Sequence, residues 1–304
     1  MNETWREKAQ ILNEFVLKLF AMLFMTLDHV GLFLLSYLGS ANTLGLCFRA
    51  AGRIAFPLFA FMLAEGIRKS NHKERYLISL AGMWALVSIA QVVLFYGFSF
   101  TAIKTSTNAF TDLLLGGLFL YCLNYLEGKK KLFSLIPLLA VIGSYAFSVC
   151  ILNIPSLSEA PYFLLAGYSL YGFPMIVGFY YVKNIVDKIS ARYLEGSGQS
   201  LEIFQESRAY QGLLNMLSCC VLFLVTLICW GISYIPSVQL DVVVMHATSN
   251  GQVGQTWCLL AIIPLLLYNG KRGPDSKPFR IFSYAYYPMH IAIIFGIFYL
   301  IFEL

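Results

Sequence analysis

The chain has 304 residues, of which 59% are hydrophobic and only 12% charged, and its mean hydropathy is +0.71. Soluble domains sit at about 45–50% apolar and about 25% charged. The composition therefore excludes a soluble enzyme, a fibrous protein, a disordered chain and a nucleic-acid binder. A net charge of +5 follows from orientation in a bilayer and calls for no polyanionic partner.

In chain order, residues 1–15 are charged at first, with Trp5, Ile11, Leu12 and Phe15 recurring at helical spacing. That pattern predicts an interfacial helix leading into the first span. Apolar segments follow at 16–38, 48–67, 76–98, 110–126, 132–152, 162–183, 213–235, 254–268 and 280–302. At about 20 residues per span, about nine spans would account for about 180 residues. The eighth is short enough to be tilted or re-entrant. The polar stretch 184–212 contains Glu195-Gly196-Ser197-Gly198-Gln199-Ser200 and reads as a mobile cytoplasmic loop. The expectation is an all-α polytopic membrane protein, with residues 1–304 forming a single integral membrane domain.

Basic residues set the orientation. Arg6, Lys8 and Lys18 lie near the N-terminus. Alternate connections then carry Arg68, Lys69, Lys73 and Arg75; Lys129, Lys130 and Lys131; Lys183, Lys188, Arg192 and Arg208; and Lys271, Arg272, Lys277 and Arg280. The remaining connections hold Lys104 alone, with Arg49 opening the second span. The positive-inside rule then places the N-terminus in the cytoplasm and the C-terminus outside, in the plasma (inner) membrane. Seven cysteines lie in or beside apolar runs without C-x-x-C spacing, which reads as apolar filler and predicts no metal site.

Ionisable residues inside the spans carry the chemistry, because a charge at the bilayer centre costs about 2.5–3.5 kcal/mol on insertion scales. The first span holds Asp28 and His29, the second Arg49, Arg53 and Glu65, and the ninth His290; Asn108 and Asp112 open the fourth. At about 1.5 Å per residue, Asp28 and His29 lie about 18 Å from the cytoplasmic face, level with Arg53. His290, Asn108 and Asp112 approach that level, which predicts one polar layer. Asp28 and Arg53 are expected to form an ion pair between spans one and two. Asp28 and His29 point about 100° apart on one helix, so His29 must find its orienting group elsewhere. Pro57 and Pro288 free the carbonyls of Arg53 and Tyr284, one turn from this layer, and such carbonyls need a donor or a wet cavity. His72 and His246 read as surface residues.

Two function classes fit. In one, His29 is a general base or nucleophile, and Arg53 or Arg49 holds an anionic group; the donor is a phosphate-bearing activated acyl group drawn to the basic loops. In the other, Asp28, His29, Arg53 and His290 form the path of a proton-coupled transporter. Paired broken spans and repeat symmetry, which many transporters carry, are absent from the sequence pattern.

Four blocks then decide between them: LKLFAMLFMTLDHVGLFL (17–34), FRAAGRIAFPLFAFMLAEGIRKSNHKERYLISL (48–80), TNAFTDLLLGGL (107–118) and FSYAYYPMHI (282–291). Together they resemble the TraX family, polytopic membrane proteins named for the conjugative-plasmid protein that N-acetylates pilin. Asp28 and His29 match the family's Asp-His pair. Arg49, Arg53, Pro57 and Glu65 match its second-span block, Asn108 and Thr111 its Asn-x-x-Thr element, and Pro288 and His290 its terminal motif. After span two the family commonly has Thr-Arg, whereas this chain has Arg68-Lys69-Ser70-Asn71-His72-Lys73. The 184–212 stretch has no counterpart.

The resemblance implies an acetyltransferase that takes acetyl from cytoplasmic acetyl-CoA to an extracytoplasmic acceptor, either a protein N-terminus or a surface glycan. On this reading His29, Asp28 and Arg53 are the catalytic group, with His29 as base or acyl carrier. Arg68, Lys69, Lys73, Lys130, Lys271 and Arg272 meet the phosphates of acetyl-CoA. Arg49, Asn108, Asp112 and His290 are polar groups on the acceptor side.

Overall fold

The computed structural model describes residues 9–302 apart from 98–106, 158, 164, 197, 236–252 and 275. Among the described residues the fold is all-helical, and the only β feature is an isolated parallel bridge between Leu12 and Tyr268. In chain order the helices are α1 (Glu14–Leu38), α2 (Thr43–Gly52), α3 (Ala55–Lys69), α4 (Lys73–Val92), α5 (Ala109–Tyr125), α6 (Leu135–Asn153), α7 (Ser169–Leu194), α8 (Leu201–Gln205), α9 (Arg208–Ile232), α10 (Ile262–Leu266) and α11 (Lys277–Phe302). A π-helical turn, Val93–Gly97, extends α4, and 3₁₀ turns precede α6 (Gly128–Ser134) and α10 (Gln255–Ala261).

Among the described residues, six helical stretches are long and apolar enough to cross a membrane: Glu14–Leu38, Thr43–Lys69, Lys73–Gly97, Gly128–Ile151, Arg208–Ile232 and Lys277–Phe302. This is the architecture of a multi-pass membrane protein. The predicted fourth and eighth spans correspond to shorter apolar helices, Ala109–Tyr125 and Gln255–Leu266. The predicted sixth span is displaced: α7 begins at Ser169 and runs on to Leu194, through Lys183, Asp187, Lys188 and Arg192.

Two expectations about the polar segments are corrected. The 184–212 stretch is not an irregular loop, because α7, α8 and α9 occupy most of it. Asp187 organises it. The Asp187 carboxylate accepts from Lys183 Nζ at 2.6 Å, from Gln205 Nε2 at 2.9 Å and from the Tyr210 hydroxyl. Below it, Val182, Val186 and Tyr210 form a small core on which Phe204 packs, so α7, α8 and α9 are held together. The N-terminal segment is not helical over residues 10–13. It lies extended, with Leu12 N–H donating to Leu267 O at 2.9 Å and Asn269 N–H donating to Leu12 O at 2.8 Å. Asn13 then caps α1 by accepting from Val16 N–H at 3.0 Å. Trp5, Arg6, Lys8, Lys104 and His246 lie outside the described residues.

The residues fall into two compact units. One comprises Met1–Met62, Gly178–Ile228 and His246–Leu304, and the other Leu63–Val177 and Cys229–Met245. In the first, the buried core includes Leu17, Ala21 and Leu58, and Phe61 meets Phe179 and Tyr268 edge-on at 5.6 and 5.4 Å. Asn215 Nδ2 donates to Tyr268 O at 2.6 Å, satisfying a carbonyl beyond the end of α10. In the second, α4 packs on α5 and α5 on α6. The glycines of α5 allow close approach, since a Cβ at Gly117 would lie 2.8 Å from Leu77 of α4 and one at Gly116 2.7 Å from Ile176 of α7.

Candidate functional site

The site builds from the crossing of α1 and α2. Three glycines thin this interface. A Cβ added at Gly31 would lie 2.7 Å from Gly45 O and 2.8 Å from Arg49 N, and one at Gly52 would fall inside the Asp28 side chain. Small residues let helix backbones approach closely in a membrane, and here the closeness sets a carboxylate among guanidinium groups. Asp28 Oδ2 is paired with Arg49 Nη1, which also reaches Asp28 O at 3.4 Å. Arg53 Nη1 stands 4.0 Å from Asp28 Oδ1.

The expected Asp28–Arg53 pair is present at the outer limit of an ion pair, but Arg49, not expected as a partner, is the primary one. Helical spacing explains the exchange. Arg49 lies one turn before Arg53, on the face that Gly45 and Gly52 press against α1. Arg53 instead ends α2 and donates through Nη2 to Val253 O at 3.0 Å. The break between α2 and α3 at Arg53–Ile54 is where Pro57 withholds a donor from the Arg53 carbonyl. At the other proline, α11 continues through Pro288 without interruption.

One turn of α1 and the middle of α11 supply the histidines. His290 Nε2 lies 2.9 Å from His29 Nδ1, with ring centroids 4.9 Å apart. His290 Nδ1 is 2.8 Å from Tyr286 O, and His29 Nδ1 is 2.9 Å from Met25 O, each one helical turn back. The Tyr286 ring stacks on His290 at 5.1 Å, and its hydroxyl hydrogen-bonds Thr26 Oγ1, which donates to Met22 O at 3.0 Å. His290 is buried and His29 half-buried. The partner that His29 needed from another helix is therefore His290, and not a carboxylate.

Sequence reasoning missed Tyr286, Thr26 and Val253. Tyr286 carries the signal of lying four residues before His290. The other two carry none, because Thr26 is one of many polar residues at helix-compatible positions and Val253 acts through its backbone.

Asn108 and Asp112 belong to the second unit, and both are committed to structure there. Asn108 is fully buried and caps α5, accepting from Phe110 N–H at 3.0 Å and donating to Ser88 Oγ at 3.1 Å and Trp84 O at 3.3 Å. Asp112 accepts from the backbone N–H groups of Gly167 (2.8 Å), Tyr168 (3.1 Å) and Ser169 (2.8 Å). It thereby holds Ser169 at a positive φ of 32° as α7 begins.

The basic residues divide in the same way. Arg68 and Lys69 are both paired with buried Glu65. Lys73 donates to Ser70 O at 2.7 Å and lies over the Tyr125 ring at 4.4 Å. Lys130, Lys271 and Arg272 are exposed. Among the described residues no group of three or more His, Cys, Asp or Glu side chains is placed to hold a metal ion.

A family model described as TraX protein matches residues 14–181, more than half of the 304-residue chain. The match takes in the Asp28-His29 and Arg49–Glu65 blocks, while the block around His290 lies beyond it. No curated protein and no solved structure matches.

Proposed function

The chain belongs to the TraX family, and on that premise we propose that it is a membrane acetyltransferase carrying acetyl from cytoplasmic acetyl-CoA to an extracytoplasmic protein N-terminus or glycan hydroxyl. The family's association with pilin acetylation supports a transferase. The observation that carries the reading is His29, whose Nδ1 is engaged by Met25 O and His290 while no hydrogen bond among the described residues reaches its Nε2.

In the step we propose, His29 Nε2 takes a proton from the acceptor amine or hydroxyl as that atom bonds to the thioester carbonyl carbon. The C–S bond then breaks, and the proton passes to the leaving thiolate, so that CoA leaves as a thiol and His29 returns neutral. Arg53 offers its guanidinium to the developing oxyanion. Its Nε is buried without a hydrogen-bond partner among the described residues. Asp28, held by Arg49, offsets the positive charge that grows on His29. Because Glu65 occupies Arg68 and Lys69, exposed Lys271, in the same unit as His29, is the better candidate for the donor phosphates. The chain sits in the plasma membrane with its N-terminus inside and its C-terminus outside. Acetyl-CoA does not cross the bilayer, so a histidine within the membrane is where the acetyl group changes sides.

The test uses purified protein in detergent. Acetyl-CoA should raise the melting temperature by several degrees where plain adenine nucleotides do not. His29→Ala should keep that shift and lose acetyl transfer. No shift at saturating acetyl-CoA would overturn the reading and favour an ion path through the same residues.

A further inference from the structure

The carbonyl contacts fix which nitrogen of each histidine carries hydrogen. A carbonyl oxygen only accepts, so His290 Nδ1, 2.8 Å from Tyr286 O, carries the hydrogen. Neutral His290 then presents a lone pair at Nε2, and that lone pair faces His29 Nδ1 at 2.9 Å. His29 Nδ1 also lies 2.9 Å from Met25 O. Both neighbours of His29 Nδ1 are acceptors, so it is the donor, and the lone pair of His29 is at Nε2. The reverse assignment, with His290 donating through Nε2, would turn a His29 lone pair against the Met25 carbonyl.

We propose that His290 is the positioning residue of the site: by accepting from His29 Nδ1–H it holds His29 in the Nδ1-protonated tautomer with Nε2 as the reactive nitrogen. The role that an aspartate plays for many catalytic histidines falls here to a second, neutral imidazole. The sequence itself shows why a carboxylate is unsuited. Asp28 is on the same helix as His29 but about 100° around it, and it is taken by Arg49. His290 is in turn fixed by Tyr286, whose ring stacks on it and whose hydroxyl is tied to Thr26 on α1, so that α1 and α11 lock the two rings together. When His29 Nε2 gains a proton, the charge is shared along the N–H···N bond over both rings. The catalytic consequence rests on the acetyltransferase reading, whereas the pairing itself does not.

The experiment is nitrogen NMR on the full-length protein labelled with ¹⁵N-histidine, which has four histidines assignable by single substitution. The expected result is a protonated Nδ1 and unprotonated Nε2 on His29, with scalar coupling across the hydrogen bond to His290 Nε2. A hydrogen on His29 Nε2, or no coupling between the rings, overturns the proposal whatever the activity. In the same preparation, His290→Phe should lower kcat for acetyl transfer by about 10²-fold at unchanged KM for acetyl-CoA. His290→Gln, whose amide oxygen can still accept from His29, should recover most of it. Equal kcat in wild type and His290→Phe overturns the positioning role. If wild type itself transfers no acetyl, the acetyltransferase reading fails, and the coupling alone decides the pairing.

Discussion

Asp28 shows how one carboxylate can serve two arginines unequally. Arg49 meets it directly, while Arg53 stands at 4.0 Å and spends a second nitrogen on Val253 O. Removing one partner of a largely buried pair leaves an uncompensated charge, at about 3–5 kcal/mol for full burial. The side chains of Asp28 and Arg49 are 17% and 16% exposed, which argues for the lower end. Arg49→Met should therefore destabilise the protein by about 3 kcal/mol, and Arg53→Met by clearly less. Thermal unfolding in detergent checks the order, and equal losses would mean that both arginines share the carboxylate. Asp28→Asn in the Arg49→Met background should restore part of the loss, because the amide removes the orphaned charge.

At the scale of elements, two acidic residues fasten helices by their ends. Asp112 draws three successive backbone N–H groups onto one carboxylate at the start of α7, and each buried donor left unpaired costs about 1–3 kcal/mol. Asp112→Ala should thus cost several kilocalories and release the turn before α7, while Asp112→Asn keeps one acceptor and should cost about half as much. Hydrogen exchange at Gly167 and Ser169 reads the difference directly. Asp187 behaves differently because it titrates in reach of solvent. Partial burial raises its pKa, but the hydrogen bonds from Lys183, Tyr210 and Gln205 outweigh this, and the net shift is downward. A lowered folded-state pKa contributes stability that is complete above the unfolded value of about 3.9 and is lost as pH falls through the folded value. Proteolytic cleavage between α7 and α8 should consequently be flat from neutral pH to about 4.5 and rise below about 3.9. The Asp187→Asn variant should show raised cleavage at neutral pH and no such step.

For the whole molecule, the six long apolar helices and two shorter ones are joined by segments whose basic residues alternate. The proposed orientation, N-terminus inside and C-terminus outside, requires an odd number of crossings, so α7 (Ser169–Leu194) must cross as well; the alternation of Arg68–Arg75, Lys129–Lys131 and Lys271–Arg280 supports that proposal. Reporter fusions at Lys130 and Lys271 should accordingly read as cytoplasmic, and fusions at Ser40 and the C-terminus as external. A cytoplasmic C-terminus would remove one crossing and end the argument for an odd count.

Composition and hydropathy were enough to establish a polytopic helical membrane chain, because a span of about 20 apolar residues announces itself without reference to its neighbours. The charged residues within spans were legible for the same reason: Asp28, His29, Arg49, Arg53 and His290 stand out wherever lipid or protein must surround them. Pro57 marked the freed Arg53 carbonyl in the sequence, whereas the break at Arg53–Ile54 appears only in the structure. Their pairing was not legible. Which arginine meets Asp28 depends on how closely α1 and α2 approach, and that follows from Gly31 and Gly45 facing each other's backbones and Gly52 facing Asp28. The folding of 184–212 into helices was hidden because its anchor, Asp187, draws donors from 4, 18 and 23 residues away. Asn108 and Asp112 read as exposed to a substrate because sequence shows a polar residue but not the backbone donors that claim it. The meeting of His29 with His290, 261 residues apart, was decided by the packing of α11 against α1. Local chemistry names the polar groups within the spans of this chain, and only tertiary packing assigns each one its partner.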